Sequence, residues 1–203
     1  MGRRSDHTRE ELRELLLATG HAHMAEGGYA RFSGREVAKR AGYSVGTIYN
    51  VFGSLDQLVA AVNSRTFTLW AEHLWRCLET GGDDRIRSLV EGYFSFALAR
   101  RELWTAIYDH RLPDGVNLSE EDEVQRGVLT RIVTDEVERA LHGAGALDVA
   151  RLARSLIATV HGHCSFLLNG SFALMGETDP VGLALARVRE ILAQHGYQPP
   201  QTN

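Results

Sequence analysis

Nine histidines and two cysteines in 203 residues are the side chains that could hold a metal or carry acid–base or nucleophilic chemistry, so their spacing is decisive. His161 and His163 are two positions apart, which on a helix turns the rings about 200° away from each other and prevents joint chelation of one ion. His21 and His23 fail for the same reason, and His23 reads as a structural residue. Cys77 and Cys164 lie far apart without metal-type spacing, which suggests neither a zinc site nor a disulfide framework. Asp83-Asp84 could bind a divalent cation, but no second acidic cluster completes such a site, and the pair reads as a capped helix start. His-Glu-x-x-His, Gly-x-Ser-x-Gly, a phosphate-binding glycine loop and a dinucleotide fingerprint are all missing from the sequence. The expectation is a chain with no catalytic residues, no metal and no cofactor.

A coherent chemistry comes instead from small, uncharged residues. Placed at about 100° per residue from Ser44, Val45, Ile48 and Phe52 fall on one side of a short helix and Gly46, Thr47 and Asn50 on the other. Arg35, Lys39 and Arg40 precede them. In the major groove of DNA an Asn amide pairs bidentately with adenine and an Arg with guanine, so this face can read base edges.

The elements that position this face are set by capping residues. Ser33 followed by Glu36 is a capping-box pattern, which predicts a helix over about residues 34–40 with Val37 in the core and Ala38 and Ala41 small enough for close approach. Gly42 can end that helix in the left-handed conformation, and Ser44 can cap the next. Two helices joined by about three residues cross steeply, as in a helix-turn-helix. A solvated helical hairpin in an ordinary bundle carries the same local signals.

The stretch from Arg35 to Leu58, with Glu26-Gly27-Gly28-Tyr29 before it, resembles the N-terminal domain of the tetracycline-repressor (TetR) family of bacterial regulators. The residues carrying the resemblance are Val37-Ala38 and the run Ala41-Gly42-Tyr43-Ser44-Val45-Gly46-Thr47-Ile48-Tyr49-Asn50-Val51-Phe52. It implies a DNA surface made by Arg35, Ser44, Val45, Gly46, Thr47, Tyr49 and Asn50, with Arg35 and Asn50 on bases, Thr47 and Tyr49 on phosphates, and Gly46 allowing close backbone approach. It also implies a homodimer, a double-stranded DNA operator and a small-molecule effector, with movement of the fourth helix linking the effector site to the spacing of the heads. Val51 stands where the family usually has His or Tyr, and Leu55 where it commonly has a phosphate-touching Lys, so both departures remove polar DNA contacts.

Charge distribution fits that picture. The formal net charge of −4 argues against a general nucleic-acid binder, yet residues 1–53 hold eight Lys or Arg against six Asp or Glu, and the remainder 14 against 20. A slightly basic head on an acidic body is the expected sign for a DNA-facing head. Hydrophobic content of 44% is ample for a core. With no apolar run approaching the roughly 18 residues of a membrane span and no apolar segment after Arg3 and Arg4, the expectation is a soluble, cytoplasmic protein that does not engage a membrane.

Along the chain, Thr8-Arg9-Glu10-Glu11 opens a helix to about residue 26, with Leu12, Leu15, Leu16 and Ala22 expected inside and Arg3, Arg4 and Arg9 within reach of phosphates. Ser54-Leu55-Asp56-Gln57 opens a long helix to about residue 79, with Leu58, Ala61 and Val62 packing on the head. Helices are expected over about residues 86–99, 102–111 and 119–142, the last with Val124, Val128, Ile132 and Val137 inside. A loop follows at His142-Gly143-Ala144-Gly145, then the most apolar segment, residues 147–172, then a helix ending near His195 and a frayed tail from Gly196.

The predicted fold is all-α with about nine helices: a three-helix helix-turn-helix domain over residues 1–53 and a helical effector-binding and dimerisation domain over residues 54–203. Leu152, Leu156, Val160, Leu183, Val188 and Leu192 are expected at a two-fold interface. Trp70, Tyr93, Phe96, Trp104, Tyr108, His163, Phe166 and Asn169 are the candidate effector contacts, apolar and aromatic with two polar groups, for a mainly apolar ligand. The function expected is ligand-controlled operator binding, most often repression in this family. The alternative is a small-molecule-binding or scaffolding bundle that no longer engages DNA.

Overall fold

Thr8 begins the first helix with a complete capping box: its hydroxyl accepts from Glu11 N at 3.2 Å, and Glu11 Oε2 accepts from Thr8 N at 2.7 Å. In this computed structural model, residues 7–142 and 148–200 are described, and they form ten α-helices, one 3-10 turn and no strand. Arg3, Arg4, Gly143 to Gly145 and Leu147 lie outside the described residues. The helices are α1 (Arg9–Gly27), α2 (Gly34–Ala41), α3 (Val45–Phe52), α4 (Leu55–Thr80), α5 (Arg85–Ala99), α6 (Arg101–Asp109), α7 (Glu120–Ala140), α8 (Val149–Leu168), α9 (Ser171–Leu174) and α10 (Pro180–Ala193), with the 3-10 turn at Tyr29–Arg31.

Two compact units divide the chain. The first runs through Phe67 and adds Arg100–Gln125, so α6 joins the N-terminal helices, packing on α1 and the 3-10 turn. Its core holds Leu16, Leu17, Met24, Val37, Ile48, Leu58, Val62 and Leu103. On α1 the buried stripe is Leu16, Leu17, Gly20 and Met24, whereas Ala22, expected inside, is exposed. Gly20 explains the shift of the stripe. A Cβ there would lie 3.2 Å from Val62 Cγ2, so the missing side chain lets α1 approach α4 closely.

The second unit comprises Thr68–Ala99 and the chain from Arg126 onward. Here α8 packs on α10, and α5 on both. Asp84 caps α5, its Oδ1 accepting from Arg87 N at 3.1 Å, while its Oδ2 takes the guanidinium of Arg189 from α10. Buried Glu136 on α7 accepts Arg85 bidentately at 2.6 and 2.7 Å and also takes Arg139. Burial pushes the Glu136 carboxyl up, but those guanidinium hydrogen bonds outweigh it and hold the group below the ordinary carboxylate range.

Several expectations change. Val124, expected inside, is exposed in the first turns of α7, whereas Ile132 and Val137 further along it are buried. The apolar segment over residues 147–172 is interrupted, since Gly170 takes the left-handed conformation (φ 81°) and separates α8 from the short α9. The tail after α10 is ordered at its start: Tyr197 is buried and its N–H donates to Leu192 O at 3.2 Å.

Candidate nucleic-acid interface and apolar cavity

The helix-turn-helix forms where the capping residues and glycine place it, but by altered hydrogen bonding. Ser33 Oγ accepts from Glu36 N at 3.4 Å. Ser33 N, the other half of the expected box, donates instead to His23 Nε2 at 3.3 Å, while the Glu36 carboxylate accepts from Arg40 Nε at 3.0 Å. His23 thus has a structural role: from within α1 its ring accepts an orphan N–H at the start of α2, and it lies 5.6 Å from the Phe32 ring. Gly42 ends α2 in the left-handed conformation, φ 81°. Ser44 occupies the N-cap position of α3 without a side-chain cap; its carbonyl accepts from Thr47 N at 3.0 Å, and its hydroxyl sits 3.3 Å from Thr47 Oγ1.

On α3 the inward face is narrower than its sequence pattern. Ile48 is 1% exposed and anchors the helix, Phe52 is half-buried, and Val45 is 39% exposed in the first turn. Gly46, Tyr49 and Asn50 are exposed, Ser44 is exposed beside them, and Thr47 is half-buried. Arg35, Val45 and Tyr49 line one surface cleft, so the start of α2 and the outer face of α3 are brought together. The cations are unequal. Arg40 is engaged by Glu26 at 2.7 Å and Glu36 at 3.0 Å, whereas Arg35 and Lys39 are exposed and form no ion pair among the described residues. Val51 and Leu55 both pack against the head's core. Leu55 Cδ1 lies 2.9 Å from where a Cβ on Gly34 would be, so Leu55 fills the space that Gly34 leaves.

The eight candidate effector residues fall into separate groups. Trp70, Tyr93 and Phe96 meet in the second unit, with Trp70 4.7 Å from Tyr93 and stacked on Phe96 at 5.2 Å. Trp104 and Tyr108 pair at 5.0 Å in the first unit. His163 and Phe166 gather with Phe172 on a surface cleft of α8 and α9, and Asn169 Oδ1 closes the turn between those helices by accepting from Ser171 N at 2.9 Å. His161 and His163 do point apart: His161 Nδ1 meets Tyr93 Oη at 3.1 Å, and His163 Nδ1 meets Thr159 O at 2.8 Å.

Only Tyr93 of these eight lines the apolar cavity inside the second unit. Leu74 of α4, Val90 of α5, Val133 of α7, Ile157 of α8 and Val188 of α10 form its wall with Tyr93, and its volume is about 40 Å³. Aliphatic residues that line a cavity look the same in sequence as aliphatic residues that fill a core. Of the expected interface residues, Leu156, Val160, Val188 and Leu192 are buried within the chain because α8 and α10 pack on each other. From α8 to α10 the large apolar side chains that are exposed are Phe166, Leu174, Met175 and Leu183, Leu174 being 91% exposed, and Trp75 and Leu98 are exposed elsewhere in the same unit. Neither thiol is activated. Burial raises Cys77 and pushes Cys164 up to about 12, so both are protonated at neutral pH.

Residues 16–62 match the family described as "Bacterial regulatory proteins, tetR family", and residues 86–188 match "Tetracyclin repressor-like, C-terminal domain". No curated protein matches the chain. Among solved structures, a protein of unknown function from Rhodococcus sp. RHA1 superposes with a TM-score of 0.72 at 23% identity, covering 95% of this chain and 98% of the other. RolR in complex with resorcinol gives 0.64 at 17% identity over 95% and 97%. The regulator FadR from Bacillus subtilis in complex with stearoyl-CoA gives 0.64 at 14% identity over 89% and 97%. At these identities the likeness is one of fold.

Proposed function

The chain belongs to the tetracycline-repressor (TetR) family of bacterial regulatory proteins, and from that premise we propose that it is a non-catalytic transcriptional repressor that binds a pseudo-palindromic operator as a homodimer and leaves it when a mainly apolar small molecule binds. The observation that carries this reading is the outer face of α3. Gly46 sits inside a helix, where glycine costs about 1 kcal/mol relative to alanine, yet a Cβ there would meet only Ser44 Oγ, at 3.6 Å. Among the described residues nothing requires the glycine, and close approach of another molecule would. Beside it stand Asn50 and Arg35 for base edges, Ser44, Thr47 and Tyr49 for phosphates, and Val45 for an apolar contact such as a thymine methyl. Val51 and Leu55 serve the core of the head, so their cost to DNA binding is the loss of two polar contacts and leaves the reading helix supported.

In this reading the exposed apolar surface of α8 to α10, with Phe166, Leu174, Met175 and Leu183, meets its copy across a two-fold axis. His163 and Asn169 then belong to that surface. The dimer presents its α3 helices about 34–36 Å apart, one turn of DNA. Of the candidate effector contacts in the second unit Tyr93 lines the apolar cavity, with Trp70 packed against its ring and Phe96 stacked on Trp70, while Trp104 and Tyr108 pack in the DNA-binding unit. The resorcinol complex of RolR and the stearoyl-CoA complex of FadR support an effector role for this fold. The site of action is the chromosome, in the cytoplasm. Selection of bound fragments from the source genome tests the proposal. A palindromic site should be enriched, with affinity falling steeply as salt rises because phosphate contacts release counterions. Failure to enrich any site, or a monomer by sedimentation at micromolar concentration, refutes it.

A further inference from the structure

The cavity of the second unit is walled by α4, α5, α7, α8 and α10 and presents no polar atom to its interior. Five of its twelve lining residues are valines, on α5, α7, α8 and α10; one more methylene at several of these positions would close it. Tyr93 contributes its ring, while its hydroxyl is bonded to His161 Nδ1 at 3.1 Å. A volume of about 40 Å³ has room for roughly three water-sized groups, yet water needs polar partners and apolar cavities stay dry. What suits such a space is a flexible run of CH₂ and CH₃ groups. An apolar cavity that takes benzene has a volume of about 150 Å³, so a planar ring is too large for this space.

We infer that this cavity seats a short or branched alkyl group, and that the effector of this protein is an aliphatic compound whose polar end stays outside the valine-lined space. The alkyl preference follows from the wall alone; that its occupant is the effector rests on the regulatory reading above. Methyl NMR of the full chain, titrated with n-propanol through n-hexanol and with benzyl alcohol, is the test. Shifts are expected at Val133, Ile157 and Val188, with affinity rising about fourfold per added methylene until the cavity is full at about propyl to butyl, and with benzyl alcohol weaker than n-butanol. Val133→Phe should abolish these shifts, and the gentler Val188→Ile, which keeps a β-branched shape, should weaken them in a variant that still folds. Affinity independent of chain length, preference for benzyl alcohol, or unchanged binding by both variants overturns the inference. Release of a selected operator fragment by n-hexanol is measured separately. Binding in the cavity without release refutes the effector assignment alone, whereas a protein that binds no operator refutes the functional reading and leaves the alkyl site to stand on the NMR result.

Discussion

Gly46→Ala separates the requirements of folding from those of DNA reading. The residue keeps a helical backbone in α3 and is absent from the positive-φ glycines, so alanine introduces no backbone strain. Its Cβ would sit 3.6 Å from Ser44 Oγ, an ordinary contact, with no other neighbour within 4 Å. The gain is therefore the helix-propensity difference, about 0.5–1 kcal/mol, which for a chain of this size raises the melting temperature by about 2–4 °C per kcal/mol. In the proposed complex the same methyl would stand where the backbone of α3 comes nearest the groove, and lifting the helix would weaken every contact around it at once. A loss of at least tenfold in affinity is expected, about 1.4 kcal/mol. Thermal melts followed by circular dichroism give the first quantity, and fluorescence anisotropy on a selected operator at fixed salt gives the second. A variant that melts higher and binds as tightly as the parent refutes the placement of Gly46 at the DNA.

Asn50→Ala should leave the melt unchanged, because Asn50 is exposed, while costing about 1–3 kcal/mol in operator binding and relaxing preference at one position per half-site, as read by competition among operator variants. Glu136→Gln should destabilise the chain by about 1.5–3 kcal/mol in chemical denaturation, since it removes the buried carboxylate charge that accepts Arg85 bidentately while the partly exposed guanidinium left behind can turn to solvent. His21 is pushed down from 6.5 to about 4 by burial and by Arg65 and Arg100; the unfolded chain therefore takes up a proton that the folded one refuses. Its stability contribution is complete above about pH 6.5 and is lost as pH falls toward about 4, with a slope of at most about 1.4 kcal/mol per pH unit, and denaturation midpoints of His21→Phe should be flatter over that window.

The reading head was legible because its signals are local. A cap, a left-handed glycine and a four-residue periodicity lie within about twenty residues, and α2, Gly42 and Ile48 stand where those signals placed them. What was not legible depended on partners far along the chain. Nothing near Ser33 announces that His23 takes its N–H, or that Glu36 is diverted to Arg40. The inward face of α8 was apolar enough to suggest a subunit interface, but α10 covers Leu156 and Val160 from within the same chain. The aromatic residues easy to single out as effector contacts lie in separate groups, and Tyr93 alone of them lines the cavity; its other walls are Val, Leu and Ile, which carry no mark distinguishing a wall from a core. Sequence periodicity reports which face is apolar; it does not report what covers that face.

Chain topology bears on how such a head can respond. The chain passes between the two units three times, within α4 after Phe67, at the junction of Ala99 and Arg100, and within α7 after Gln125. The segment that returns is stitched to the first half of α4. Asn63 Nδ2 donates to Ala106 O at 3.3 Å, His110 Nε2 meets Asp56 Oδ1 at 3.1 Å, and Gln57 Nε2 donates to Asn117 O at 3.0 Å. At Gly28, which has φ 67°, a Cβ would lie 2.5 Å from Glu102 Oε2, so α6 also meets the end of α1 without an intervening side chain. Asn63 and His110 are buried, and such bonds are costly to break one at a time because each leaves a desolvated polar group behind. The core that holds Ile48 includes Leu58 and Val62 of α4 and Leu103 of α6. Displacement of α4 therefore carries α3 with it. In the proposed reading, a ligand acting through α4 would change where α3 stands without dismantling its outer face.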